Sequence, residues 1–253
     1  MKTKKLIIGN WKMNVETWKD ALSLGKKSLA HAKKMKRTEV VVCPSFPHIM
    51  AAQAKAKTYH LGAQSASVFE NGSHTGDVGA KQLANLGVQY VLAGHSEQRQ
   101  AGDTDETVSK RIQQILAAGL TAVVCCGDKV RSDDGAHLEF LKTQLKATLA
   151  NISPDHVNKL VIAYEPVWAI GAKAAMEADQ VCEMTIFVKK VFAEVFGPDA
   201  GRKVKVLYGG SVKADNAAAI MSVGKVDGLL VGRESVNPQG LADLLKVVDS
   251  IDG

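Results

Sequence analysis

Thr121-Ala122-Val123-Val124-Cys125-Cys126-Gly127 decides the reading of this chain. The run is apolar without alternation, rich in β-branched residues, and closed by glycine, as expected of a parallel strand covered on both faces. Helical periodicity flanks it on both sides. Before it, Val108, Ile112, Ile115, Leu116 and Gly119 recur at helical spacing behind the acidic turn Asp105-Glu106. After it, Leu138, Leu141, Leu145, Leu149 and Ile152 do the same, and Pro154 follows. Helix, buried strand, helix is the unit of an α/β protein.

Outward from there the unit repeats. Short apolar runs fall at residues 6–10, 40–45, 59–64, 90–95, 121–127, 160–165, 204–209 and 228–232. A last helix is signalled by Asn237-Pro238, a cap followed by proline at N1, with Leu241, Leu244, Leu245 and Val248 on one face. Eight strand–helix units in 253 residues match a (β/α)8 barrel. A doubly wound open sheet is the competing architecture. It carries a glycine-rich fingerprint after its first strand, whereas Gly9-Asn10-Trp11-Lys12 offers one glycine. With no linker or break in composition, one barrel domain spanning 1–253 is expected.

Composition agrees. Hydrophobic residues make up 46% of the chain, enough for a large core and too many for disorder. No apolar run approaches the roughly 20 residues of a membrane helix. The basic start Met1-Lys2-Thr3-Lys4-Lys5 is followed by too short an apolar stretch for a leader peptide. The net charge of +6 suits either a polyanion or a small anionic substrate. Its clusters, Lys26-Lys27, residues 33–37 and Lys189-Lys190, read as solvated outer faces of helices, so neither a nucleic-acid nor a membrane partner is expected. The four cysteines, Cys43, Cys125, Cys126 and Cys182, show no CxxC spacing, which predicts buried thiols and a cytoplasmic address.

In a barrel, chemistry gathers where strands end. Those ends carry Asn10 and Lys12, Gln64, His95-Ser96-Glu97, Gly127-Asp128, Glu165, Gly209-Gly210-Ser211 and Gly232-Arg233; only the second strand, ending in Pro44-Ser45, offers little. Each has an ordinary reading alone, as a turn, a loop carboxylate or a surface lysine. Convergence on one rim is what points to a site. Gly209-Gly210-Ser211 and Gly232-Arg233 close strands seven and eight, where this fold commonly holds phosphate on backbone N–H groups. Lys12, His95 and Glu165 form a set suited to proton transfer beside a carbonyl: a carboxylate base, an imidazole donor and a cation for developing negative charge. No metal-ligand spacing occurs, and no cofactor is required. A Schiff-base lysine at Lys12, as in an aldolase, stays open on these residues alone.

Gly9-Asn10-Trp11-Lys12-Met13-Asn14, Ala93-Gly94-His95-Ser96-Glu97, Ala163-Tyr164-Glu165-Pro166-Val167-Trp168-Ala169-Ile170-Gly171, Tyr208-Gly209-Gly210-Ser211-Val212 and Leu230-Val231-Gly232 together resemble the triosephosphate isomerase family, in its order and over essentially the whole chain. The resemblance implies a TIM barrel that interconverts dihydroxyacetone phosphate and D-glyceraldehyde 3-phosphate, a reaction of glycolysis and gluconeogenesis, with no cofactor. It implies Glu165 as the base moving a proton between C1 and C2. His95 is the neutral electrophile, its pKa lowered by a helix starting at Ser96; Lys12 is the cation, tuned by Glu97, and Asn10 a substrate contact. It implies a lid over 166–175, phosphate N–H donors at Gly171, Ser211, Gly232 and Arg233, and a homodimer in which Thr75, on the 69–79 loop, reaches the partner's site. Three departures from the family pattern stand out. Ala172-Lys173-Ala174 replaces the lid's usual Thr-Gly-Lys, Arg233 replaces a second glycine, and Gln98 replaces an arginine. These departures leave two further readings open: an isomerase-like barrel with impaired turnover, and a polyanion-binding scaffold.

Overall fold

The computed structural model describes residues 4–53, 58–169 and 175–251. In chain order the elements are β1 (Lys5–Asn10), α1 (Trp18–Ala32), β2 (Thr38–Cys43), α2 (Ile49–Ala52), β3 (Tyr59–Ala63), α3 (Ala80–Asn85), β4 (Tyr90–Ala93), α4 (Ser96–Gln100), α5 (Asp105–Ala117), β5 (Thr121–Cys126), α6 (Ala136–Leu149), β6 (Leu160–Tyr164), α7 (Ala178–Phe196), α8 (Pro198–Lys203), β7 (Lys205–Tyr208), α9 (Ala214–Ser222), β8 (Gly228–Val231) and α10 (Pro238–Ser250). The eight strands are all parallel and close into a barrel in sequence order, β8 pairing back to β1 through Leu6–Gly228 and Ile8–Leu230. The (β/α)8 fold expected from the repeating runs is the fold found.

Strand alternation explains why those runs are apolar throughout. Leu6, Ile8, Val41, Leu92, Val123, Val161, Leu207 and Leu230 fill the barrel interior, while Ile7, Val40, Val42, Val91, Val124 and Ile162 face the helices. Both faces are buried over most of each strand, which favours apolar residues on both. Cys43 and Cys125 belong to the interior and Cys126 to the outer layer; all four cysteines are free thiols. Burial pushes the Cys43, Cys125 and Cys126 thiols well above their ordinary range. Gly62 points inward where any side chain would collide with Cys43 Sγ, so the small residue lets the third strand close the ring.

Two of the longer helices start on threonine caps. Thr17 Oγ1 accepts from Asp20 N (3.1 Å) at α1, and Thr104 Oγ1 from Thr107 N (3.2 Å) at α5. Two local expectations are corrected. Residues 33–37 are not helical: α1 stops at Ala32, and the turn is tied down by Asp249, whose carboxylate accepts from Lys36 N and Arg37 N. Those cations are solvated, as expected, though not on a helix. Asn237 stands at the start of α10 but its side chain makes no cap; its Nδ2 donates instead to Glu234 Oε2 (3.3 Å).

Candidate active site

The site is the next layer of the barrel interior. Along β1 the inward residues run Leu6, Ile8, Asn10; beyond β6 they run Val161, Ala163, Glu165; β7 and β8 continue to Gly209 and Gly232. Strand geometry thus delivers Asn10 and Glu165 onto the packed floor, both 4% exposed. His95 needs a different device. Gly94, at φ 73°, takes a left-handed conformation at the end of β4, and His95 follows as the N-cap of α4.

A cleft of about 500 Å³ opens over this layer, lined by Asn10, Lys12, Asn14, His95, Glu165, Gly209, Gly210, Ser211, Val212, Lys213, Leu230, Gly232, Arg233 and Glu234. It joins two kinds of surface. One side carries ionisable side chains, and the other consists largely of glycine and loop backbone, suited to an oxyanion.

On the ionisable side, Glu165 Oε1 lies 3.2 Å from His95 Nε2, and Glu165 Oε2 accepts from Ser96 N at 3.3 Å. Glu97 N donates to His95 Nδ1 at 3.2 Å, which leaves Nε2 as the nitrogen that carries the proton of a neutral ring. Burial and Lys12 push the His95 pKa down, but the Glu165 carboxylate pulls the other way by charge and hydrogen bond, and the net direction is upward from 6.5. The helix start alone predicts a lowered pKa. The correction comes from Glu165, which rests on the imidazole in this arrangement.

Lys12 adopts φ 51°, an uncommon conformation for a side-chain-bearing residue. Its neighbours fix it there: Lys12 N donates to Asn10 Oδ1 (3.0 Å), and Gln64 Nε2 donates to Lys12 O (2.8 Å) and to Cys43 O (2.9 Å). Its ammonium meets Glu97 Oε1 at 2.5 Å. The sequence places Gln64 on the rim, but nothing local in it signals that the side chain clamps Lys12. Asn14, Lys213 and Glu234 also join the cleft wall, and sequence reasoning misses all three. Lys213 and Glu234 directly follow the Gly-Gly-Ser-Val and Gly-Arg stretches, which is the available clue.

On the glycine side, a Cβ at Gly209 would press on Glu165 Cγ (2.9 Å), and one at Gly210 would collide with the Tyr208 hydroxyl. That hydroxyl accepts from Met176 N (3.1 Å), tying down the chain ahead of α7. Around residues 164–169, Asp128 accepts from Tyr164 Oη (2.7 Å) and Trp168 Nε1 (2.9 Å), and Ser211 Oγ donates to Ala169 O (3.1 Å). Gly171, with Ala172, Lys173 and Ala174, lies outside the described residues. Thr75 sits on the exposed 69–79 loop and is not part of this chain's own cleft wall. Among the described residues, no cluster of His, Cys, Asp and Glu has the arrangement of a metal site.

A parallel (β/α)8 barrel whose rim sets a carboxylate–imidazole pair and a lysine against a glycine-rich oxyanion cradle defines the class of barrel enzymes that act on sugar phosphates. Comparison with known proteins narrows this. The triosephosphate isomerase family profile matches residues 5–248. The chain is 38% identical over 244 residues to the triosephosphate isomerase of Clostridium botulinum (strain Loch Maree), covering 95% of this chain and 98% of that one. It is 36% identical to that of Cytophaga hutchinsonii over 96% of this chain and 98% of the relative, and 38% identical to that of Nocardia farcinica over 96% of both. The chain belongs to the triosephosphate isomerase family.

Proposed function

We propose that this chain interconverts dihydroxyacetone phosphate and D-glyceraldehyde 3-phosphate through an enediolate, as a single barrel domain. The observation that carries the reading is the meeting of Glu165, His95 and Lys12 in one cleft with the Gly209–Ser211 and Gly232–Arg233 backbone. Family membership favours it over an impaired barrel or a polyanion scaffold.

Each residue's part follows from its contacts. Glu165 leaves Ser96 N–H and the imidazole when substrate enters, and its carboxylate takes the proton from C1 and returns it at C2. His95, held by Glu97 N–H with its proton on Nε2, donates to the carbonyl oxygen, and Lys12 offsets the negative charge that builds there. Separation of Glu165 from the ring removes the contact that raises the His95 pKa, so the ring works as neutral imidazole. Asn10 fixes the Lys12 backbone and contacts substrate oxygens. The N–H groups of Gly171, Ser211, Gly232 and Arg233 hold the phosphate. The lid closes over the enediolate and keeps it from water.

The working form is a homodimer in the cytoplasm. Met13, 90% exposed, and half-exposed Phe46 follow β1 and β2, and half-exposed Phe69 lies on the same 69–79 loop as Thr75; apolar exposure of this kind fits a surface awaiting a partner. Four free thiols fit a reducing compartment. No described helix is long and apolar enough to cross a membrane.

Purified protein mixed with D-glyceraldehyde 3-phosphate, NADH and glycerol-3-phosphate dehydrogenase tests the reading. NADH consumption dependent on the protein, approaching the diffusion ceiling of about 10⁸–10⁹ M⁻¹s⁻¹ in kcat/KM, is the expected result. A folded protein that consumes none overturns it.

A further inference from the structure

We propose that the Arg233 side chain, and not only its backbone, is a phosphate-anchoring group of this site. The inference rests on the isomerase reading above and adds a charged ligand to the phosphate half of the cleft.

The charges lining the cleft are unevenly committed. Lys12 is held by Glu97 at 2.5 Å, and Glu165 by His95 and Ser96 N–H. Glu234 directs an oxygen toward Asn237 Nδ2 at the start of α10. Arg233 lines the same cleft, is exposed, and makes no side-chain hydrogen bond or ion pair among the described residues. It begins a short helical turn, Arg233–Val236, directly after Gly232, so its side chain leaves the backbone where that backbone borders the oxyanion cradle. Ser235 pins the turn, its hydroxyl donating to Gly232 O (2.6 Å) and lying 3.2 Å from Asn10 O, so the root of Arg233 is fixed relative to β1 and β8.

A phosphate dianion entering a cleft that is partly withdrawn from water needs compensating charge. Neutral backbone donors supply direction but no net charge, and the Lys12 ammonium is shared with Glu97. A guanidinium meets the need, because it stays charged and offers paired N–H groups that fit two phosphate oxygens at once. Glycine here, as in the family pattern, would leave only the N–H. Lys213, also exposed and lining the cleft, adds positive charge but as a point donor without the fork.

The test compares the unsubstituted chain with Arg233→Gln and Arg233→Lys, measuring kcat and KM for D-glyceraldehyde 3-phosphate. The Kd of inorganic phosphate is measured in parallel by calorimetry. Arg233→Gln is expected to raise KM and the phosphate Kd together by at least about tenfold, the range for a lost hydrogen bond to a charged group. The expected kcat stays within about twofold, because the reacting carbons lie with Glu165 and His95. Arg233→Lys recovers part of both, and the fall of kcat/KM with added salt becomes shallower in Arg233→Gln. KM and Kd both within about twofold of the unsubstituted chain overturn the proposal, and so does a KM increase without a matching change in phosphate Kd. If the unsubstituted chain turns over no substrate, the isomerase reading fails. The calorimetric comparison then still decides whether Arg233 binds phosphate.

Discussion

The floor and the rim of this barrel are built by the same strands and obey opposite rules. On the floor, inward positions such as Leu6, Ile8, Val41 and Leu230 are apolar, buried and mutually packed. One alternation higher, the inward positions become Asn10, Glu165, Gly209 and Gly232, polar or bare. Glu165 is as buried as many core residues, at 4% exposure, and is tolerated because His95 and Ser96 N–H satisfy it. The difference teaches that the floor holds the ring closed, while the rim uses that rigidity to keep ionisable groups where solvent alone would not leave them. A substitution below should therefore cost stability and spare chemistry, and one above should do the reverse.

The largest break is expected at the rim. Glu165→Gln keeps the shape of the side chain and removes the proposed base, and should lower kcat by about 10²–10⁴-fold with a thermal midpoint close to the unsubstituted value; coupled kinetics beside calorimetry would show the split. Leu6→Ala, on the floor and 1% exposed, should do the opposite: about 2–5 kcal/mol lost in denaturant unfolding, with kcat of the folded protein little changed. If Leu6→Ala also loses turnover, floor and rim are not separable.

Gln64→Leu sharpens the boundary, since this side chain serves both layers. Its amide donates to Cys43 O below and to Lys12 O above. Loss of both bonds should cost about 1–3 kcal/mol, and release of Lys12 from φ 51° should raise KM more than it lowers kcat. The smallest expected effect is a titration. In the ligand-free protein the Glu165 carboxylate raises the His95 pKa above 6.5, so Glu165→Gln should move it down, as read by NMR of the imidazole protons. The sign for stability follows. A raised folded pKa means the pair contributes fully below 6.5 and the contribution fades as pH rises through the folded value. The unsubstituted chain should thus lose stability relative to Glu165→Gln across that rise.

The floor is legible in the sequence because both faces of every strand are buried, which writes itself as unbroken apolar runs such as residues 121–126. The rim is legible at the point where each run stops, and Asn10, His95, Glu165, Gly209 and Gly232 all fall there. Three features are not legible. The left-handed Lys12 is imposed by Asn10 and by Gln64 from beyond β3, a tertiary constraint with no local mark. The pKa direction of His95 depends on where Glu165 rests, which is a matter of side-chain placement. The turn at residues 33–37 is rich in lysine, a good helix former, yet it is held out of the helix by Asp249, near the far end of the chain.

The central claim is that Glu165 moves a carbon-bound proton. Dihydroxyacetone phosphate incubated in D2O with catalytic amounts of protein, followed by proton NMR, addresses it directly. The expected result is deuterium entering at carbon beside the carbonyl with the unsubstituted chain, and entering at least about a hundredfold more slowly with Glu165→Gln. Equal rates of exchange in the two proteins would contradict the account.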